Sequence, residues 1–169
     1  MPRTIVQGLC FLLGFAIALW LAPQHVAAQQ AASDPEAAQL EALLYQQVNG
    51  VRAGQHLTQL ARRPELDAVA RAHSADMASR GYFAHESPEG QNAVHRLGRA
   101  QIEGFSLAAE NIGSTDRPGP AGEIVTAWLH SPIHRSNLLA PPFNATGIGV
   151  ARGANGAWIV TQLYLTYPR

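Results

Sequence analysis

The chain has 169 residues, a formal net charge of zero and 47% hydrophobic residues, which fits one folded domain plus an additional segment. All 12 basic residues are arginines and they form no cluster, so phosphate neutralisation gives no basis for nucleic-acid binding. The single cysteine, Cys10, excludes an intrachain disulfide. We therefore expect a buried apolar core, and not cross-links, to stabilise the fold.

The N-terminus has the three parts of a secretory signal peptide. Arg3 precedes an apolar run, Leu9–Ala22, and the small residues Val26–Ala28 follow. The run is short for a membrane span, which needs about 20 apolar residues, so an uncleaved anchor is only the alternative. The protein is predicted to be exported, to the extracellular space or the periplasm. The predicted division is a signal peptide over residues 1–28, a flexible lead over 29–37 and a domain over 38–169.

Helix-start signals and apolar spacing predict four helices. Asp34-Pro35-Glu36 combines a capping side chain, a proline at the first helical position and an acid in the first turn. Ser131-Pro132 ends the last helix, because the residue before a proline avoids the helical region. The predicted helices run from Pro35 to Gly54, from Pro64 to Gly81, from Ala93 to Ile102 and from Ala121 to His130, and a further turn covers Ile133–Leu138.

Two short apolar runs close the chain and predict a β-hairpin. Ala145–Ala151 and Trp158–Tyr164 are rich in branched and aromatic residues, and Asn155-Gly156 lies between them. Phe105–Ile112 is a further extended candidate. Helices that come first and strands that close the chain predict an α+β fold or a helix–sheet–helix sandwich, not a doubly wound one.

The seven histidines separate by context. His73 lies on the apolar face of the second helix and is predicted to be a core residue bonded to backbone. His85 lies in a loop and His134 just past a helix break, which are positions where functional side chains concentrate. The remaining histidines of the predicted domain are interpreted as surface or supporting residues: His56, His95 and His130.

Two glutamates are candidates for the same site. Glu110 lies in an otherwise apolar run, Leu107–Ile112, where a buried carboxylate needs a partner. Glu123 is explained equally well as a first-turn acid that interacts with the helix dipole. Spacing alone therefore does not join Glu110 and Glu123 to His85 and His134.

A series of motifs over about residues 38–165 resembles the CAP superfamily of cysteine-rich secretory proteins, antigen 5 and pathogenesis-related proteins, specifically its cysteine-free bacterial branch. No one motif is decisive, whereas the complete set in this order is specific. The motifs are Val48–Gly54, Ala72–Met77, Arg80–Gly90, Ala109–Ile112, Glu123–Trp128, Ser131–Leu139, Thr146–Ala151 and Trp158–Leu163.

The resemblance implies a three-layer α-β-α sandwich with a cleft that holds two histidines and two glutamates. These map onto His85, Glu110, Glu123 and His134, with Asn111 beside them as a further cleft residue. The four are candidates both for catalysis and for binding a divalent metal, zinc above all, because imidazole and carboxylate are zinc ligands. Two departures concern the backbone: this chain has Ala109 and Ile133 where the family has glycine, and a β-branched residue at positive φ would be strained.

Three functions are compatible with this sequence. The first is a binding module whose metal-tuned cleft takes a lipid-like or cell-envelope ligand. The second is a metal-assisted hydrolase of peptides or envelope polymers, in which a metal-bound water is the nucleophile. The third is a structural envelope protein in which the four side chains form a self-satisfied polar network. No feature of the sequence points to a protein partner.

Overall fold

The computed structural model describes residues 34–168, so the predicted signal peptide lies outside the described residues. The first helix begins at Pro35, as its start signal predicted, and therefore includes residues 35–37, which the predicted domain division had also counted in the flexible lead. In chain order the elements are α1 (Pro35–Gly54), β1 (Ala61–Arg62), α2 (Pro64–Arg80), α3 (Ala93–Arg99), β2 (Leu107–Thr115), α4 (Pro120–His130), α5 (Pro132–Leu138), β3 (Ala145–Arg152) and β4 (Trp158–Thr166).

The four strands form one mixed sheet in the order β1-β3-β4-β2. β3 and β4 are antiparallel and form the predicted hairpin, with Ala145 opposite Leu165 and Arg152 opposite Trp158. β2 is antiparallel to β4, whereas the two-residue β1 is parallel to β3. β2 is therefore an edge strand.

Helices cover both faces of the sheet, which confirms the predicted three-layer sandwich. On one face α1, α4 and α5 bury a core that includes Leu44, Trp128 and Leu138 against Ile148 of β3. On the other face α2 and α3 bury Leu66 and Leu97 against β3 and β4. Alternate residues of one strand serve the two cores, because successive side chains point to opposite faces.

Two glycines of β3 allow α2 to lie directly on the sheet. A Cβ on Gly147 would overlap the backbone carbon of Leu66, and one on Gly149 would overlap the backbone nitrogen of Arg71. Neither position has room for a methyl group while the helix stays where it is. The absence of side chains at these positions therefore sets the depth at which α2, the helix that carries His73, packs.

A buried arginine fixes the end of α5. Arg52 has no exposed surface, and its guanidinium donates to the carbonyls of Leu138, Ala140 and Phe143, at 2.8 to 3.0 Å, while Nε donates to Thr58. Burial lowers the pKa of Arg52. Because Leu138 is the last residue of α5, Arg52 ties that helix, and with it His134, to α1.

Several local expectations differ from the structure. α3 ends at Arg99 instead of Ile102, since Gln101 has a φ of 57°, which is incompatible with a right-handed helix. The turn predicted after Pro132 is the helix α5, so Ile133 is helical and is not a strained residue at positive φ. Between residues 34 and 168, no helix combines the length and the apolar character needed to cross a membrane.

Candidate functional site

His85 and Glu110 meet at the centre of the candidate site. His85 lies in the loop between α2 and α3, and its Nδ1 is 3.0 Å from Oε1 of Glu110 on β2. A carboxylate only accepts hydrogen bonds, so the Nδ1 atom carries the proton. In the neutral form of the exposed His85 ring, this arrangement leaves the lone pair on Nε2.

Arg96 on α3 holds the second oxygen of Glu110. Its Nη2 atom is 2.6 Å from Oε2, and both side chains are nearly fully buried. The same guanidinium donates to the carbonyls of His85 and Gln91 at the two ends of the loop segment, at 3.2 and 2.7 Å. Arg96 thus fixes the Glu110 carboxylate and the backbone that carries His85 at once.

His73 lies beneath this pair, as a core residue with a backbone hydrogen bond, as predicted. Its Nε2 donates to the carbonyl of Ala84 at 3.1 Å. Burial, aided by the charge of Arg96, lowers the pKa of His73 to about 4. The ring is therefore neutral near pH 7, and its 3.9 Å approach to Glu110 is a polar contact and not an ion pair.

His134 faces His85 from the other side. It lies on α5, and the two imidazole centroids are 6.2 Å apart at an interplanar angle of 49°. Burial and the neighbouring His85 both lower the pKa of His134. The structure therefore brings His85, Glu110 and His134 into one region, from a loop, a strand and a short helix.

Asn111 positions α5 and has no exposed surface. Its Nδ2 donates to the carbonyl of His134 at 3.0 Å, and its Oδ1 accepts from Asn137 at 2.9 Å. The Nδ2 also contacts the hydroxyl of Tyr164, at 3.2 Å, and Tyr164 donates to Gln162. Asn111, predicted to lie in the cleft, is thus a buried support for its wall.

An open cavity of about 340 Å³ lies beside His85 and Glu110. This volume is within the size range of small-molecule sites. Its walls combine apolar side chains with a few polar groups, since it is lined by His85, Asn92, Ala93, Val94, Ala109, Glu110 and Asn137.

Glu123 makes no hydrogen bond or ion pair with His85, Glu110 or His134 in the described part of the chain. It lies in the first turn of α4, its side chain is 44% exposed, and its carboxylate is 3.5 Å from Nη1 of Arg117. Within residues 34–168 no three or more His, Cys, Asp and Glu side chains are grouped so as to hold a metal ion. The predicted four-residue ligand set is thus not assembled among the described residues, because Glu110 is bound by Arg96 and His85 and Glu123 faces solvent.

Arg96 and Asn137 were missed as functional candidates by the sequence analysis. Asn137 donates to the carbonyl of Glu110 at 3.3 Å as well as to Asn111. A signal for Arg96 existed: a buried glutamate in an apolar run requires a cation. The sequence does not say which of its 12 basic residues is that cation.

Relatives of this chain match its folded part. Residues 45–164 match the family model described as "Cysteine-rich secretory protein family", or CAP. Protein YkwD of Bacillus subtilis is 33% identical over 117 residues, which are 69% of this chain and 43% of YkwD. An extracellular protein of Bacillus anthracis that contains an SCP domain is 32% identical, with a TM-score of 0.68 over 77% of this chain and 41% of that chain.

A more distant relative shares the fold. An outer surface protein of Borrelia burgdorferi is 20% identical, with a TM-score of 0.69 over 77% of this chain and 94% of that chain. This chain spans less than half the length of the two Bacillus relatives. The family model covers more than half of this chain, and the two solved structures share the fold described above. The chain is a member of the CAP family of cysteine-rich secretory proteins.

Proposed function

We propose that this protein is an exported binding module that takes a lipid-like or cell-envelope ligand in the cavity beside His85. The observation that carries the proposal is the cavity itself: Ala93, Val94 and Ala109 offer apolar contact, while His85 and Glu110 offer fixed polar groups. Cavities of this size with a few placed polar groups are typical of binding sites. The export part of the proposal rests on the signal peptide predicted over residues 1–28.

A divalent ion, zinc above all, is part of the proposal. Two imidazoles that face each other across 6.2 Å, His85 and His134, are the side chains that would hold it. Glu110 fits a supporting role, because a metal-ligating histidine commonly donates its other ring N–H to a carboxylate. Bound to His85 and His134, zinc would present open coordination positions to a ligand or to water.

Zinc titration of the purified protein by calorimetry tests the metal site. We expect one zinc site that is lost in the double variant His85→Ala and His134→Ala. The matched control removes two exposed histidines outside the cavity, His56 and His130, and should keep the site. Equal zinc uptake by both double variants would refute the assignment.

Extraction of the exported protein with organic solvent tests the ligand part. We expect an apolar molecule to co-purify and to be lost in Val94→Glu, which places a charge in the cavity wall at a half-exposed position. Ile133→Glu, at a more exposed apolar position that does not line the cavity, is the control. No bound molecule and no uptake of labelled lipid or envelope fragments would contradict the proposal.

Metal-assisted hydrolysis is the second candidate. The observation in its favour is the His85–Glu110 pair, because a carboxylate that holds Nδ1–H leaves Nε2 as a base. Zinc, when bound, would supply an acidified water. Hydrolysis of envelope peptides that disappears in Glu110→Gln would favour this function over binding alone.

A further inference from the structure

The cavity borders a free edge of the sheet. β2 pairs with β4 and with no other strand of the described sheet. The free edge of a strand presents alternate N–H and C=O groups that another chain can use. Which β2 residues present them follows from the register.

Residues of β4 alternate between their two neighbouring strands. The carbonyl of Leu165 accepts from the N–H of Asn144, the residue before β3, at 3.0 Å, and the carbonyl of Thr166 accepts from Ser106, the residue before β2, at 2.9 Å, so Leu165 faces β3 and Thr166 faces β2. The residue before Leu165, Tyr164, therefore turns its backbone N–H and C=O toward β2, where its register partner is Ala109. The residues on either side of Ala109 consequently turn their backbone groups away from the sheet.

Side chains from two helices confirm this direction. Trp128 Nε1 donates to the carbonyl of Ile112 at 2.8 Å, and Asn137 Nδ2 donates to the carbonyl of Glu110 at 3.3 Å. Neither helix donor reaches Ala108. Within residues 34–168, no hydrogen-bond partner is found for the outward N–H and C=O of Ala108 or for the outward N–H of Glu110.

The unpaired backbone groups of Ala108 and Glu110 lie where the cavity opens. Ala109 and Glu110 line it, and Glu110 is only 9% exposed. A ligand that supplies an acceptor to the N–H of Glu110, and both an acceptor and a donor to Ala108, would complete the hydrogen bonding of this part of the edge.

We propose that the cavity binds an extended peptide segment, which adds to β2 as a further strand. An extended polypeptide repeats its donors and acceptors every second residue, about 6.8 Å, and so matches Ala108 and Glu110 together. A lipid chain offers no such pattern. Arg96 neutralises Glu110, so a cationic peptide is not required.

Apolar side chains flank the edge. Val94, in the cavity wall, and Leu107, at the start of β2, are 54% and 50% exposed. They favour a peptide with β-branched or aromatic residues. The inference rests on the proposed function for the use of this cavity, and it narrows the cell-envelope ligand to a protein segment.

The test uses a blocked heptapeptide, acetyl-KVTVTVK-amide. The comparison peptide has the same sequence but carries N-methyl groups on four consecutive residues between its two terminal lysines. We expect saturable binding of the first, together with slower hydrogen exchange of the Glu110 amide by NMR. The N-methylated peptide should bind at least about tenfold more weakly, because it lacks donors and its methyl groups obstruct both edges. Equal binding of the two peptides, or unchanged exchange at Glu110, would overturn the proposal.

Ala108→Pro tests the protein side, since proline is tolerated on edge strands but removes the N–H. It should weaken peptide binding about tenfold, whereas Ala108→Val, which keeps the N–H, should not. If Ala108→Pro fails to fold, the peptide pair and the Glu110 amide still decide. Zinc titration separates the two proposals: zinc bound by His85 and His134 without peptide binding overturns only the peptide inference.

Discussion

Arg96→Met tests whether one arginine holds the candidate site together. The substitution keeps an unbranched apolar stem but removes the guanidinium, which bonds Glu110 Oε2 at 2.6 Å, Gln91 O at 2.7 Å and His85 O at 3.2 Å. The Glu110 carboxylate is 5% exposed, so it loses its one charged partner while it stays buried. Removing one member of a buried pair costs about 3–5 kcal/mol.

Removing one unpaired polar atom offsets part of this loss of stability. The Nε atom of Arg96 is buried and has no partner among the described residues, and methionine removes it. We therefore expect the free energy of unfolding at pH 7 to fall by about 3 kcal/mol. For a domain of this size the melting temperature should fall by about 10 °C.

Urea denaturation of four proteins measures the effect: wild type, Arg96→Met, Glu110→Gln and the double variant. The two single losses should not add, and a coupling of about 2 kcal/mol is expected for groups in direct contact. Arg99→Met is the matched control, because Arg99 lies on the same helix but is exposed. A loss below about 1 kcal/mol for Arg96→Met, or additive single losses, would refute the reasoning.

Three further predictions concern packing, pH and the fourth candidate residue. In Gly149→Ala the new Cβ would overlap the α2 backbone, so the free energy of unfolding should fall by about 3 kcal/mol or more. In Gly113→Ala the new Cβ meets only the movable end of the Ile124 side chain, at 2.8 Å, so the loss should be about 1 kcal/mol. Equal losses of stability for the two variants in thermal melts would contradict this. Burial holds the pKa of His73 at about 4 in the folded protein, against 6.5 in the unfolded chain. The contribution of the neutral His73 ring to the free energy of unfolding is therefore complete above pH 6.5, and about 3 kcal/mol of it is lost as the pH drops to 4. Urea curves across this range should show a smaller acid loss for His73→Gln, and parallel curves would count against the assignment. Glu123→Gln should leave zinc affinity unchanged, since that carboxylate is exposed, and weaker binding in calorimetry would restore the four-residue site.

Local signals predicted much of the fold. Pro35 and Pro64 begin α1 and α2 as expected, because proline fits the first turn of a helix. The hairpin of β3 and β4 followed from two apolar runs around Asn155-Gly156. β1 was missed, because its two residues carry no periodicity and are defined only by their pairing with β3.

The candidate site was less predictable, because its contacts join distant parts of the chain. His85 and Glu110 are 25 residues apart and meet only when α2 and α3 lie on the sheet. The family resemblance supplied that information for His85, Glu110 and His134. For Glu123 the plain interpretation as a first-turn acid describes its position in the structure well.

The position of Glu110 on an edge strand explains why both helical layers form the cavity. Its side chain points to the α2–α3 layer, where Arg96 and His85 take both oxygens, while its carbonyl accepts from Asn137 of α5 in the opposite layer. A carboxylate used in this way is poorly placed to bind a metal directly. Among the described residues at the cavity, Nε2 of His85, the His134 ring, the N–H of Glu110 and the outward N–H and C=O of Ala108 have no hydrogen-bond partner and are available to a ligand. Glu110→Gln should therefore alter how His85 is held while leaving the outward β2 backbone in place, so zinc affinity should change more than peptide affinity.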